Sequence, residues 1–434
     1  MTDRSKREAL SRPAQSDAAN IAATVRATVE RVRREGDAAL LSLTEEYDRV
    51  RLQALEVTTS EFERAEGVLQ PDQHAAIERA IGNVRRFHAA QTTAPIRMET
   101  SPGVVCERYS VPIRAVGLYV PAGTAPLPST AIMLAVPAGL AACPVKVMCT
   151  PPDRAGAADP AVLVAARKAG IERIFKVGGA QAVAAMAYGS ESIPKCDKIF
   201  GPGNAYVTAA KILAAQDPEG AAMDLPAGVT EVMVIADDEA RADFVAADLL
   251  AQAEHGPEAQ AILLTTDQAL ASAVSREVER QSTFRSRAAI LAQSLKGLRI
   301  IVVDSLTSAL DIANAYAPEH LILEVRAART WLPRISTAGA VFLGHWSPES
   351  IGDYCSGPNH TLPTYGYARA YSGLSLEDFQ RRMTVQELTP GGLRELGPTA
   401  AMLADLEGLD AHAESVRIRL EALRLEALRH EALQ

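Results

Sequence analysis

One rhythm constrains this chain more than any other feature. From about residue 114 to residue 343, short apolar runs alternate with stretches of strong helix formers. Ala115-Val-Gly-Leu-Tyr-Val120, Val145-Lys-Val-Met-Cys149, Ile174-Phe-Lys-Val-Gly-Gly179 and Lys198-Ile-Phe200 read as strands. So do Glu231-Val-Met-Val-Ile-Ala236, Ala261-Ile-Leu-Leu-Thr265, Ile300-Ile-Val-Val303, Leu321-Ile-Leu-Glu-Val325 and Ala340-Val-Phe-Leu343. Strands that are apolar throughout are buried on both faces, and strands separated by helices must run parallel, which predicts an α/β fold with helices on each side of the sheet. Two groups of such units, divided near residue 230, predict two Rossmann-like doubly wound domains with small helical N-terminal and C-terminal extensions. In that architecture ligands are expected at the carboxyl ends of the strands.

At 434 residues the chain exceeds one ordinary core. The expected division is an extension over 1–15, a discontinuous larger domain of 16–118 with 231–374, a second domain over 119–230, and a helical segment over 375–434. The first hundred residues look helical, with a capping-box pattern in Ser60-Glu-Phe-Glu63. After residue 375 strands are expected to stop, and 376–386 and 400–409 look helical. The near-repeat Glu421-Ala-Leu-Arg-Leu-Glu-Ala-Leu-Arg-His-Glu-Ala-Leu433 cannot bury its leucine stripe alone, so a partner subunit is expected against it.

Charge and hydropathy exclude several function classes. A net charge of -9 argues against a nucleic-acid binder, which needs clustered Lys and Arg to neutralise phosphates. No apolar run approaches the roughly 20 residues that span a bilayer, and the polar start Met1-Thr-Asp-Arg-Ser-Lys lacks a secretory core, so a cytoplasmic protein is expected. The five cysteines form no CxxC pair and are expected to be free, mostly buried thiols.

Chemistry concentrates in a few places. In Gln252-Ala-Glu-His-Gly-Pro257, a helix ended by Gly256 and Pro257 carries Gln252 and His255 three residues apart on one face. An amide oxygen and a neutral imidazole so placed are half of a coordination sphere for a borderline divalent metal. Gly352-Asp-Tyr-Cys-Ser-Gly-Pro-Asn-His360 offers Asp353 and His360 on a loop, and His412 is a further candidate. Scattered ligands of this kind lack the compact spacing of a zinc finger or HExxH, so a surface role competes for each. Gly178-Gly-Ala-Gln181 and Gly201-Pro-Gly-Asn204 each follow a strand and precede a helix, where backbone N–H groups favour a phosphate; tight turns alone are the competing reading. In Ala317-Pro-Glu-His320, a carboxylate and an imidazole stand side by side at a strand start, fit for two separate proton transfers or merely exposed after a helix stop.

Taken in order, Arg114-Ala-Val-Gly-Leu-Tyr-Val-Pro121, Val177-Gly-Gly-Ala-Gln181, Phe200-Gly-Pro-Gly-Asn204, Gln252-Ala-Glu-His-Gly-Pro257, Ala317-Pro-Glu-His-Leu321, Trp346-Ser-Pro-Glu-Ser350 and the loop from Gly352 to Pro363 resemble the histidinol dehydrogenases, over about residues 16 to 420. The resemblance implies a zinc-dependent, NAD-linked oxidation of L-histidinol through L-histidinal to L-histidine, the last step of histidine biosynthesis. It implies Gln252, His255, Asp353 and His412 as metal ligands, Glu319 and His320 as the catalytic pair, and Tyr119, Gln181 and Asn204 as NAD contacts. Thr230, His360 and Glu407 would join the metal ligands and His320 around the substrate. It also implies an intertwined homodimer in which Glu407 and His412 come from the partner.

One departure stands out. The family usually reads Pro-Ala-Gly-Pro-Ser-Glu where this chain has Pro226-Ala-Gly-Val-Thr-Glu231, so Val229 and Thr230 leave room for a paralogue acting on another polar alcohol. A zinc hydrolase and a non-catalytic binding module are the readings from other classes; failure to bind NAD would favour the former.

Overall fold

The computed structural model describes residues 10–12, 18–122, 125–226, 228–283 and 285–432, so most of the expected 1–15 extension and the last two residues of the tail lie outside the described part. Among the described residues four helices come first: α1 (Ala18–Glu35), α2 (Asp37–Tyr47), α3 (Thr59–Val68) and α4 (Pro71–Ala89). Two strands follow, β1 (Ile96–Ser101) and β2 (Val104–Pro112). The first βα series is β3 (Ala115–Tyr119), α5 (Pro128–Leu140), β4 (Val145–Thr150), α6 (Pro160–Lys168), β5 (Arg173–Lys176), α7 (Gly179–Tyr188), β6 (Lys198–Phe200), α8 (Ala205–Gln216) and β7 (Ala222–Met223). The second is β8 (Glu231–Ala236), α9 (Ala242–Ala253), β9 (Gln260–Thr265), α10 (Gln268–Ser282), α11 (Ala288–Ser294), β10 (Arg299–Val302), α12 (Leu306–Tyr316), β11 (His320–Glu324), β12 (Ala340–Leu343) and α13 (Glu349–Tyr354). The chain closes with β13 (Gln380–Leu388), α14 (Pro390–Leu406) and α15 (Asp410–Ala432).

Two five-stranded parallel sheets result, in the orders β5-β4-β3-β6-β7 and β10-β9-β8-β11-β12. Each reverses its winding direction once, between β3 and β6 and between β8 and β11. Strand side chains alternate in direction, and here both directions are buried. Val232, Val234 and Ala236 enter one apolar cluster with Val245, Leu249 and Leu250 of α9, whereas Met233 and Ile235 enter another with Leu310 and Ala313 of α12. Each of the valine, leucine, isoleucine and methionine side chains among them, fully removed from water, stabilises the fold by about 1.5–3 kcal/mol before entropy is counted. This is the predicted α/β architecture, reached for the predicted reason.

The first four described helices pack on the helices of the first βα series, α1 on α7 and α8, α2 on α7, α3 on α6 and α4 on α5. Val25, Val29 and Leu40 share a cluster with Val147, Phe175 and Val183, and Phe62, Ile81 and Val84 share one with Leu118 and Leu134. This differs from the division expected from sequence, in which 16–118 accompany 231–374. The expected boundary at 118 also falls inside β3.

Residues up to Gln91 together with Ile113–Phe379 form one compact unit, and Thr92–Pro112 with the residues from Gln380 onward form another. In the second, β1, β2 and β13 make an antiparallel sheet, with β13 paired along the whole of β2. The helix expected over 376–386 is therefore mostly strand. Its β-branched Thr384 and Val385 suit a strand, and pairing with a segment almost 300 residues away is a gain that no local pattern reveals. Helices α14 and α15 form a hairpin whose turn places Gly408 at φ 72°, the left-handed position after a helix C-cap. No helix among the described residues is long and apolar enough to cross a membrane.

Candidate active site

The amino edge of the second sheet gathers most of the predicted residues. Thr230 precedes β8, while Glu319 and His320 open β11, its neighbour; the register pairs His320 with Val232. Glu319 is buried, and its Oε2 accepts from Thr230 Oγ1 at 2.6 Å and from the Glu231 N–H at 2.9 Å. Burial pushes its carboxyl up to about 7 in spite of those bonds and of His320 beside it. Thr230 thus uses the hydroxyl it shares with serine, so the departure at 229–230 keeps this contact.

Helix α9 approaches the same edge with its C-terminus, because it runs antiparallel to the strands. Its alanines and leucines are strong helix formers, and Val245, Leu249 and Ala253 anchor it on the sheet. Contrary to the expectation that both residues lie on the helix, α9 ends at Ala253 with Glu254 as C-cap, and His255 lies beyond it. A turn bond from His255 N–H to Gln252 C=O, 3.2 Å, continues the chain direction for one more step.

Asp353 also differs from expectation: it sits in the last turn of α13 rather than on a loop. One turn earlier is Glu349, which lies within Trp346-Ser-Pro-Glu-Ser350 and is outside the site residues that the resemblance implies. The available signal was the i, i+4 spacing, which puts Glu349 and Asp353 on one helix face. His320 stands among these carboxylates, with Nδ1 3.7 Å from both Glu319 and Glu349 and Nε2 3.6 Å from Asp353. Burial alone would lower the imidazole pKa, but Glu349, Glu319 and Asp353 outweigh it and raise His320 to about 10. Glu349 is 1% exposed, and burial pushes it up to about 8.

These groups fit a cation. Ligand atoms of His255, Glu349 and Asp353 lie within 4.8 Å of one another. The fully buried Gln252 amide lies between Thr230 Oγ1, 2.7 Å away, and Glu349 Oε1, to which its nitrogen donates at 2.9 Å, while His320 Nε2 is buried without a hydrogen-bond partner.

His360 closes the site toward the first sheet. Its Nδ1 is 2.8 Å from the Asp353 carbonyl and its Nε2 3.2 Å from Thr130 Oγ1 at the start of α5, while Asn359 donates to the Met133 carbonyl at 2.7 Å. That start of α5 follows β3, so the loop after α13 reaches the carboxyl edge of the first sheet.

At that edge, beside the reversal between β3 and β6, lie Tyr119, Gln181 and Asn204. Tyr119 Oη accepts from the Gly179 N–H at 3.0 Å, and burial pushes its phenol up to about 12. Gln181 is buried in the first turn of α7, and Asn204 caps α8 by accepting from Tyr206 and Val207 N–H at 3.1 Å each. Gly201 adopts φ 122°, and a β-carbon there would collide with the Tyr119 carbonyl. The turn is pinned from below: Lys211, ion-paired with Asp224, donates to the Gly201 carbonyl at 2.9 Å, and Asp224 accepts the Gly201 N–H at 2.8 Å. The first sheet therefore carries its candidate ligand site at the expected carboxyl edge. The second carries its site at the opposite, amino edge, because the reacting side chains come from strand starts and helix ends.

Glu407 and His412 belong to the second unit, the former as C-cap of α14 and the latter in the first turn of α15, both exposed. Cys149 and Cys196 are buried thiols pushed up by burial, Cys196 to about 12, as inert structural cysteines should be.

Similarity to known proteins agrees with this arrangement. The family model described as histidinol dehydrogenase matches residues 10–420. A histidinol dehydrogenase of Vibrio vulnificus is 51% identical over 414 residues, covering 95% of each chain, and one of Xanthomonas axonopodis pv. citri is 52% identical over 95% of this chain and 96% of its own. The crystal structure of histidinol dehydrogenase from Elizabethkingia anophelis superposes with a TM-score of 0.93 at 45% identity, covering 98% of this chain and 97% of that one. Sheet order, buried Glu-His pair and similarity along nearly the whole length lead to one conclusion: the chain belongs to the histidinol dehydrogenase family.

Proposed function

We propose that this protein is an NAD-dependent dehydrogenase that carries L-histidinol through L-histidinal to L-histidine, using two NAD per turnover and one zinc per subunit. The observation that carries the reading is the buried, adjacent Glu319 and His320 beside a set of metal-ligating side chains. Gln252, His255, Asp353 and His412 would hold zinc, which supplies a Lewis-acidic template for the substrate's nitrogens, while NAD at Tyr119, Gln181 and Asn204 supplies the hydride acceptor.

His320, flanked by carboxylates at Nδ1, would take the alcohol proton in its neutral form, which a cation held by the neighbouring carboxylates would favour by offsetting the charges that otherwise keep the ring protonated. Glu319, fixed by Thr230 and the Glu231 N–H, removes a proton from the water that adds to the aldehyde; its raised pKa matches a group that must both accept and return a proton near neutrality. His320 then assists the second oxidation. His360, anchored to α5, and Glu407 complete the contacts to the substrate. Glu407 and His412 act across a homodimer, and the enzyme works in the cytoplasm.

The test is NADH formation from L-histidinol with zinc present. Two NADH per alcohol are expected from the unmodified protein. His320→Ala should lower kcat by roughly 10²- to 10⁴-fold, the usual contribution of a general base. Negligible NADH from the unmodified chain, with turnover of another polar alcohol instead, would move the assignment to a paralogous dehydrogenase.

A further inference from the structure

We propose that Glu349 is itself a metal ligand, so that Gln252, His255, Glu349 and Asp353 give the first unit four donors of its own. The inference rests on the zinc reading above and extends it to a residue outside the ligand set that the resemblance implies.

The geometry is that of a coordination shell. The Gln252 amide and Glu349 Oε1 are 2.9 Å apart, so the two side chains meet in the site. His255 and Asp353 place their donor atoms within 4.8 Å of Glu349, and the helical turn from Glu349 to Asp353 aims both carboxylates the same way.

Burial strengthens the case. Glu349 is 1% exposed and Gln252 0%, so a charged carboxylate there needs a compensating partner that water does not supply. The Gln252 amide nitrogen donates to Glu349 at 2.9 Å, which holds that carboxyl group in place beside the other donors.

Glu349 has one competing attachment, His320 Nδ1 at 3.7 Å. The proposed sequence is that Glu349 captures the ion while His412 is not yet engaged, then yields its place to His412 and returns to His320. A chain would thus load metal before its site is complete.

The decisive experiment titrates zinc into metal-stripped, full-length protein against a chromogenic chelator. It compares the unmodified chain with His412→Ala, Glu349→Gln and the double variant. His412→Ala should still take up one zinc per chain. Adding Glu349→Gln should weaken that binding by roughly 100-fold or more, since partners outside the coordination shell are already worth about 10- to 100-fold. Glu349→Asp, which keeps the charge, should retain measurable binding and serves if Glu349→Gln fails to fold. Zinc affinity unchanged by Glu349→Gln in the His412→Ala background would overturn the proposal, leaving Glu349 as the counter-ion of His320 only. An unmodified chain that binds no zinc would overturn the zinc reading and this inference together, a result distinguishable from the first.

Discussion

Asp48, beyond the C-terminus of α2, shows how one residue can oppose the fold that holds it. Its Oδ2 is buried without a hydrogen-bond partner, and burial raises its carboxyl from 3.8 to about 6. A carboxyl whose folded pKa is raised prefers its proton in the native state, so stability is gained as pH falls from above 6 toward 4 and lost as pH rises through 6. Asp48→Asn should therefore stabilise the protein at pH 7 by about 1–2 kcal/mol, a value discounted because the group is only partly buried. The gain should vanish below pH 4, and urea unfolding at both pH values measures it. At this scale the site was readable to a degree. Glu319, His320, Gln252 and Asp353 stood out by type and position, whereas Asp48 and Glu349 are ordinary acids in sequence and become notable through the surface each loses on folding.

At the scale of the element, α3 shows how local and distant contacts share a residue. Thr58 and Glu61 form a reciprocal capping box, with the Thr58 N–H donating to Glu61 Oε2 at 2.7 Å and the Glu61 N–H to Thr58 Oγ1 at 3.3 Å. It lies two residues before the pattern expected at Ser60, because Thr58 adopts the extended backbone of an N-cap. Glu61 also pairs with Lys176 of β5 at 2.8 Å, and that lysine is largely buried. Thr58→Ala should cost about 1 kcal/mol. Glu61→Ala should cost more, about 3–5 kcal/mol if the lysine is left unpaired, and a shift in the urea midpoint ranks the two. Equal losses would mean that the cap alone matters. The strand limits of β8 and β12 follow directly from apolar runs, but β13 does not, because an exposed strand with polar residues is defined by its partner rather than by its own pattern.

The whole molecule poses the question of assembly. Leu406, Leu409, Ile418, Leu425 and Leu428 are exposed on α14, α15 and the turn between them, and scattered singly they would be unremarkable. Leu425 and Leu428 belong to the near-repeat expected to meet a second subunit, and the chain should sediment as a dimer. If His412 acts across that dimer, His320→Ala and His412→Ala proteins, each inactive, should recover about a quarter of unmodified activity when unfolded together and refolded at equal amounts, because half the dimers are mixed and each holds one intact site. No recovery, with mixed dimers demonstrated, would place His412 in the site of its own chain. By itself the sequence determined the α/β class, the parallel winding and the residues able to do chemistry, because burial on both faces and side-chain functional groups are written directly in residue types. Only the tertiary structure decided that the N-terminal helices join the first βα series, that β13 pairs with β2, and that the Glu-His pair occupies the amino edge of the second sheet with Glu349 beside it. Those outcomes depend on which distant surfaces exclude water together, and no local stretch of chain carries that information.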